Sequence, residues 1–208
     1  MTHVSTPELL VLHAVRLQGV ADDQQVARRF RLDPAVTKEL LLDYQAFGWI
    51  TWSEFAGIGG WSLMATGRAE NERRLAAELE LVAGTETVRD TFRAFLPLNE
   101  RLQLACTQWQ LRPTDDDPHA FNDHNDPAWD RRVITELTAL AEQLGPLAET
   151  LSGLLDRFQG YRTRFVTALE RVQAGDTGWV DRTNVDSCHK VWFELHEDLI
   201  ATLGLGRV

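Results

Sequence analysis

Arg28, Arg29, Arg31 and Lys38 are the densest group of cations in the first part of the chain. Guanidinium and ammonium groups at the meeting point of two successive helices can reach the phosphate oxygens of a nucleic acid. The same residues also suit a solvated surface balanced by Asp22, Asp23 and Asp33. Arg68, Arg73 and Arg74 form a second group, able either to touch a phosphate backbone or to pair with Glu70, Glu72 and Glu78 one helical turn away. Far along the chain, Asn99, Trp109, His189, Trp192 and His196 share two long helical stripes. They would line a mostly apolar ligand pocket with a few polar groups, or close into a core in which each polar group is satisfied. At about 1.5 Å rise per residue, His189 and His196 lie about 10 Å apart, too far to share one metal ion.

Other chemistry finds less support. His119, Asp123, His124 and Asp126 are ligand types for a divalent cation, but their spacing matches no closed site and also suits a hydrated acidic loop. Cys188 is followed by His189, yet adjacent helical residues point in different directions, so no Cys–His nucleophile is expected. No phosphate-binding glycine loop, serine elbow or paired-carboxylate motif occurs. The expectation is a protein that is not an enzyme and carries no cofactor and no metal.

The elements that must position these residues centre on Gly48 to Arg74. Ile50 and Trp52 begin a strand that extends to about Phe55, Gly57, Gly59 and Gly60 supply a turn, and Trp61 to Met64 return. Thr66 is read as the cap of the helix that follows. Upstream, Thr6-Pro7, Asp22 or Asp23, and Asp33-Pro34 each open a short helix by the cap-plus-first-turn signal. The inner stripe of the third is Val36, Leu40, Leu41, Tyr44 and Phe47. Three helices followed by a hairpin predict a winged helix-turn-helix over residues 1–82, with the third helix in the recognition position. Residues 85–208 read as an all-α bundle. Its first helix runs to about Leu111 with the stripe Val88, Phe92, Phe95, Asn99, Leu102, Cys106, Trp109. A Pro-, Asp- and Asn-rich loop follows, then helices broken at Gly145-Pro146 and Gly160, and a last helix over 185–203.

The chain has 208 residues and a net charge of −10, and both halves are acidic. That balance disfavours indiscriminate nucleic-acid binding, so any DNA contact needs its few arginines gathered on one face. No apolar run is long enough to span a membrane and no leader is visible, so a cytoplasmic protein is expected. Two cysteines fit a reducing compartment. Abundant arginine and scarce lysine point to a GC-rich bacterial genome.

The segments AFGWI and WSLMATGRAENER resemble the end of the recognition helix and the post-wing ending of transcriptional regulators of the multiple-antibiotic-resistance repressor (MarR) type. The resemblance covers about a third of the chain and implies a DNA-binding repressor. It departs at the wing tip, Ala56-Gly57-Ile58-Gly59-Gly60, which lacks the basic residue that such proteins place in the minor groove. LNERLQLACTQWQ, DPAWDRRVI and VWFELHEDLIATLGL resemble a helical region of uncharacterised actinobacterial proteins, also found attached to proteins resembling pyruvate phosphate dikinase. This implies a regulatory or accessory module. Two functions are therefore carried forward: a homodimeric transcriptional regulator that answers a small-molecule effector, and an adaptor whose winged helix binds protein.

Overall fold

The computed structural model of the chain describes residues 2–55 and 57–206, so Ala56 at the expected wing tip lies outside them. The fold is mainly α-helical with one small antiparallel sheet. In order the elements are α1 (Pro7–Gln18), α2 (Asp23–Phe30), α3 (Pro34–Ala46), β1 (Ile50–Phe55), β2 (Ile58–Leu63), α4 (Ala65–Leu81), α5 (Thr85–Gln110), α6 (Pro127–Leu154), α7 (Tyr161–Gln173) and α8 (Cys188–Leu203). No helix among the described residues is long and apolar enough to cross a membrane. The chain divides into two compact units: Met1–Val88 with Gly153–Arg157 and Glu197–Val208, and Arg89–Ser152 with Phe158–His196.

In the first unit, Thr6, Asp22 and Asp33 cap α1, α2 and α3 through their side-chain oxygens. Arg31 turns between α2 and α3 in the left-handed region, φ 56°. The strands pair in the register Trp52 to Trp61, and Ala21 adds a short bridge to Trp61. Gly60 is required there, because a Cβ would stand 2.6 Å from Val20 and 2.9 Å from the Ala21 nitrogen. Val11, Leu12, Val15, Val26, Leu41, Tyr44, Ile50 and Trp61 form the core of this unit.

Three local expectations change. On α3 the inward residues are Thr37, Leu41 and Tyr44, while Val36 and Phe47 stand 43% and 61% exposed. The Asp33 cap fixes the phase of the helix, and from it the spacing of four and three selects that inner stripe. Thr66 lies within α4, whose cap is Met64 with no side-chain bond; the Thr66 hydroxyl donates instead to the Gly48 carbonyl. Glu78, expected on the outside of α4, is buried.

Glu78 belongs to an ionic network that runs through the first unit. The Arg157 guanidinium donates from Nε to Glu78 Oε2 (2.9 Å), from Nη1 to Asp198 Oδ1, and from Nη2 to Thr202 Oγ1 (2.8 Å). His13 Nε2 lies 3.0 Å from Asp198 Oδ1, and its Nδ1 lies 3.3 Å from Asn71 Oδ1. Arg16 donates to Glu197 and to Glu72, at 2.9 Å each. Burial favours a neutral His13 and outweighs the opposing pull of Asp198, so its pKa falls below the ordinary value. Burial alone would raise the Asp198 pKa, but the charge of Arg157 and the hydrogen bond from His13 overcome it and hold this carboxyl far below the usual carboxylate range.

In the second unit, α6 runs without interruption through Gly145 and Pro146, where the sequence predicts a break and a separate helix over 147–158. The buried stripe Val133, Leu137, Leu140, Leu144, Ala148, Leu151 keeps helical spacing across the pair. Its burial, about 1.5–3 kcal/mol for each large side chain, exceeds the roughly 3 kcal/mol cost of an internal proline. Phe95 stacks on Trp192 with ring centroids 5.0 Å apart, and Phe165 closes on the same indole at 5.4 Å. The expected helix over 185–203 begins only at Cys188.

Candidate functional site

The α2–turn–α3 segment gathers three of the predicted cations. Arg28, Arg31 and Lys38 line one open groove of about 580 Å³ together with Asp23, Gln24, Ala27, Leu32 and Pro34. Arg28 Nη1 donates to Gln24 Oε1 at 3.2 Å. Among the described residues, no carboxylate lies within ion-pair distance of these three side chains. The nearby aspartates each use Oδ1 on another group: Asp22 accepts from the Gln25 amide, Asp33 from the Ala35 and Val36 amides, and Asp23, which lines the groove, from the Trp61 indole. With three cations against the carboxylate of Asp23, the groove carries net positive charge in an acidic protein and can hold anionic oxygens.

The other two predicted contacts are placed differently. Arg29 lies 4.4 Å above the Phe30 ring, and its charge helps keep Asp198 ionised. Arg68 is half exposed and sits 3.5 Å from Glu197 Oε1. Of the second cation group, Arg73 and Arg74 both bond Glu70 and hold that carboxyl down to about 2.

The outer surface of α3 mixes signs. Val36, Leu42 and Phe47 are exposed there with Lys38, Glu39 and Asp43. On the hairpin, Trp52 is 41% exposed and meets Trp61 edge-on at 5.1 Å.

The five residues read from the helical half do not share one contact cluster. Trp192 Nε1 donates to Asn99 Oδ1 at 3.2 Å, and both are buried. His196 stacks near Phe92 and Phe95. Trp109 is buried against His124, centroids 4.5 Å apart. His189 is exposed and stacks on Phe193.

The loop carboxylates are committed as well. His124 Nδ1 pairs with Asp130 at 3.0 Å, and Asp126 pairs with Arg112 at 2.8 Å. No group of three or more metal-ligating side chains occurs among the described residues. Burial pushes the Cys106 and Cys188 thiols up to about 12, so neither is a thiolate near neutral pH.

Sequence reasoning missed the His13–Asp198–Arg157 network altogether. One signal was available: Glu194, Asp198 and Thr202 recur every four residues on α8, and all three are buried. Comparison with protein-family models, with curated proteins and with solved structures finds no significant match to this chain.

Proposed function

We propose that residues 7–81 form a winged helix-turn-helix that contacts DNA, in a bacterial transcriptional regulator of the MarR kind. The observation that carries this reading is the groove where Arg28, Arg31 and Lys38 converge, with no ion pair among the described residues, against the carboxylate of Asp23 at the junction of the second and third helices. In a helix-turn-helix this junction faces the phosphate backbone. The order of three helices, a two-stranded hairpin and a fourth helix adds support. In this reading the helical region after residue 85 supplies dimerisation and the response to a small-molecule effector.

The test is fluorescence anisotropy of the full-length protein on DNA selected from a genomic library. Arg28→Ala/Lys38→Ala should weaken binding, and the slope of log K against log salt should fall by about 0.9 for each lost phosphate contact. Binding and salt slope unchanged in the double variant would overturn the proposal. A glycine-rich wing without a cation predicts little minor-groove readout.

A second reading rests on a different observation. The outer face of α3 exposes Val36, Leu42 and Phe47 beside Glu39 and Asp43, a surface better matched to protein than to phosphate. An adaptor of this kind would lose its partner in Leu42→Asp while Arg28→Ala left it bound.

A further inference from the structure

A second cleft, of about 510 Å³, opens where the N-terminal end of α2 meets the hairpin; it shares Asp23 and Gln24 with the cationic groove but turns acidic and aromatic groups to solvent. It is lined by Asp22, Asp23, Gln24, Trp52 and Trp61, with no basic side chain among them. Trp52 presents much of its indole to solvent, and Trp61 backs it at 71°. Gly59 shapes the site: a Cβ there would stand 2.6 Å from the Trp52 ring, so only glycine lets the indole lie across β2. Among the described residues each carboxylate is bonded through Oδ1, Asp22 by the Gln25 amide and Asp23 by the Trp61 indole. Oδ2 of each has no hydrogen-bond partner among the described residues. Glu54, exposed and two residues along β1, stands on the same strand face as Trp52.

We propose that this cleft binds a guanidinium group, stacked on the Trp52 face and held at its edge by Asp22 and Asp23. An indole face attracts a cation through its quadrupole, and a planar guanidinium also stacks on it. The fork of N–H donors matches free carboxylate oxygens, which a compact ammonium does less well. The volume falls in the range that takes a small ligand. The group can come from a free metabolite or from an arginine side chain of a peptide.

The experiment is calorimetric titration of the full-length protein with agmatine and with acetyl-Gly-Arg-Gly-amide, against acetyl-Gly-citrulline-Gly-amide as the uncharged isostere. Saturable binding of at least one arginine-type probe is expected, and the tighter of the two identifies the source. Citrulline should bind at least about tenfold more weakly. Asp22→Asn/Asp23→Asn keeps an N-cap and an acceptor for Trp61, so the fold is retained while affinity should fall by a similar factor. Trp52→Ala should abolish the heat of binding. No saturable heat from either cationic probe, or equal affinity for the arginine and citrulline peptides, would overturn the proposal, as would full affinity in the aspartate double variant.

Discussion

His13 is the side chain on which the first unit reports its surroundings. It is fully buried, and its imidazole is kept neutral chiefly by that burial. Its two ring nitrogens meet Asp198 and Asn71. The Asn71 Nδ2 has no hydrogen-bond partner among the described residues. Turning that amide over would bring Nδ2 to the bare Nδ1 of a neutral ring that donates from Nε2 to Asp198. A histidine whose folded pKa lies below its unfolded one contributes stability that is fully present above the unfolded value. That contribution is lost as pH falls through about 6.5 toward the folded pKa. Urea midpoints should therefore drop between pH 7.5 and 5.5, at up to about 1.4 kcal/mol per pH unit, and His13→Gln should flatten this window. Asp198 is the more costly residue to lose. Asp198→Ala takes from Arg157 and His13 the carboxylate they share in a site closed to water, leaving Arg157 to Glu78, and a loss of about 3–5 kcal/mol is expected in the same unfolding assay. Trp192→Ala, which removes a buried indole stacked between Phe95 and Phe165, should cost a comparable ~3–5 kcal/mol.

At the scale of elements, short-range signals read well where the chain decides locally. The caps at Thr6, Asp22 and Asp33 and the hairpin of two tryptophan-bearing strands were legible, because each is satisfied within a few residues. The return strand nevertheless begins earlier than the glycines suggest: Gly59 and Gly60 pair with Glu54 and Ser53 inside β2, and Met64 caps α4. Gly145-Pro146 misled for the same reason: a strong local break signal says nothing of the stripe from Val133 to Leu151 that carries the helix through it. Pro146 is exposed, so the freed carbonyl four residues back can turn to water. Pro146→Ala should then raise stability, by at most ~3 kcal/mol, with the gain visible as a higher melting temperature. Gly67 is a contrasting case. A Cβ at that position in α4 would stand 2.0 Å from the Trp49 carbonyl oxygen, and backbone cannot give way as a side chain can. Gly67→Ala should lower the melting temperature, by the equivalent of ~1–3 kcal/mol, although alanine is the better helix former.

Over the whole molecule, what stayed illegible was long-range pairing of unlike side chains. His13 and Arg16 lie in an apolar helix, Arg157 in a short turn, Asp198 and Glu197 near the other end of the chain. No periodicity announces that they meet, since the attraction acts through space and each residue alone looks like an error in its pattern. The cationic groove was legible as a cluster, but that its cations form no ion pair among the described residues was not, because that depends on where Asp22, Asp23 and Asp33 are held by their own hydrogen bonds. The first unit also draws on residues 153–157 and 197–208, beyond the winged-helix boundary that the sequence suggests near residue 82. A fragment of residues 1–88 would keep His13 and Arg16 but lose Asp198, Glu197 and Arg157. It should melt far below the full chain, or show no cooperative transition by circular dichroism.

That pairing has a consequence for how the chain is made. His13 and the carboxylate it faces are 185 residues apart. At about 5–20 residues per second of synthesis, α1 waits on the order of 10 to 40 s at the ribosome before its partner emerges. During that interval a helix apolar on nearly every side, with an imidazole and a guanidinium among its leucines, has no complete interior to enter. The first unit is begun first and finished last, and its nascent form is a natural client for the chaperones that shield exposed apolar chain.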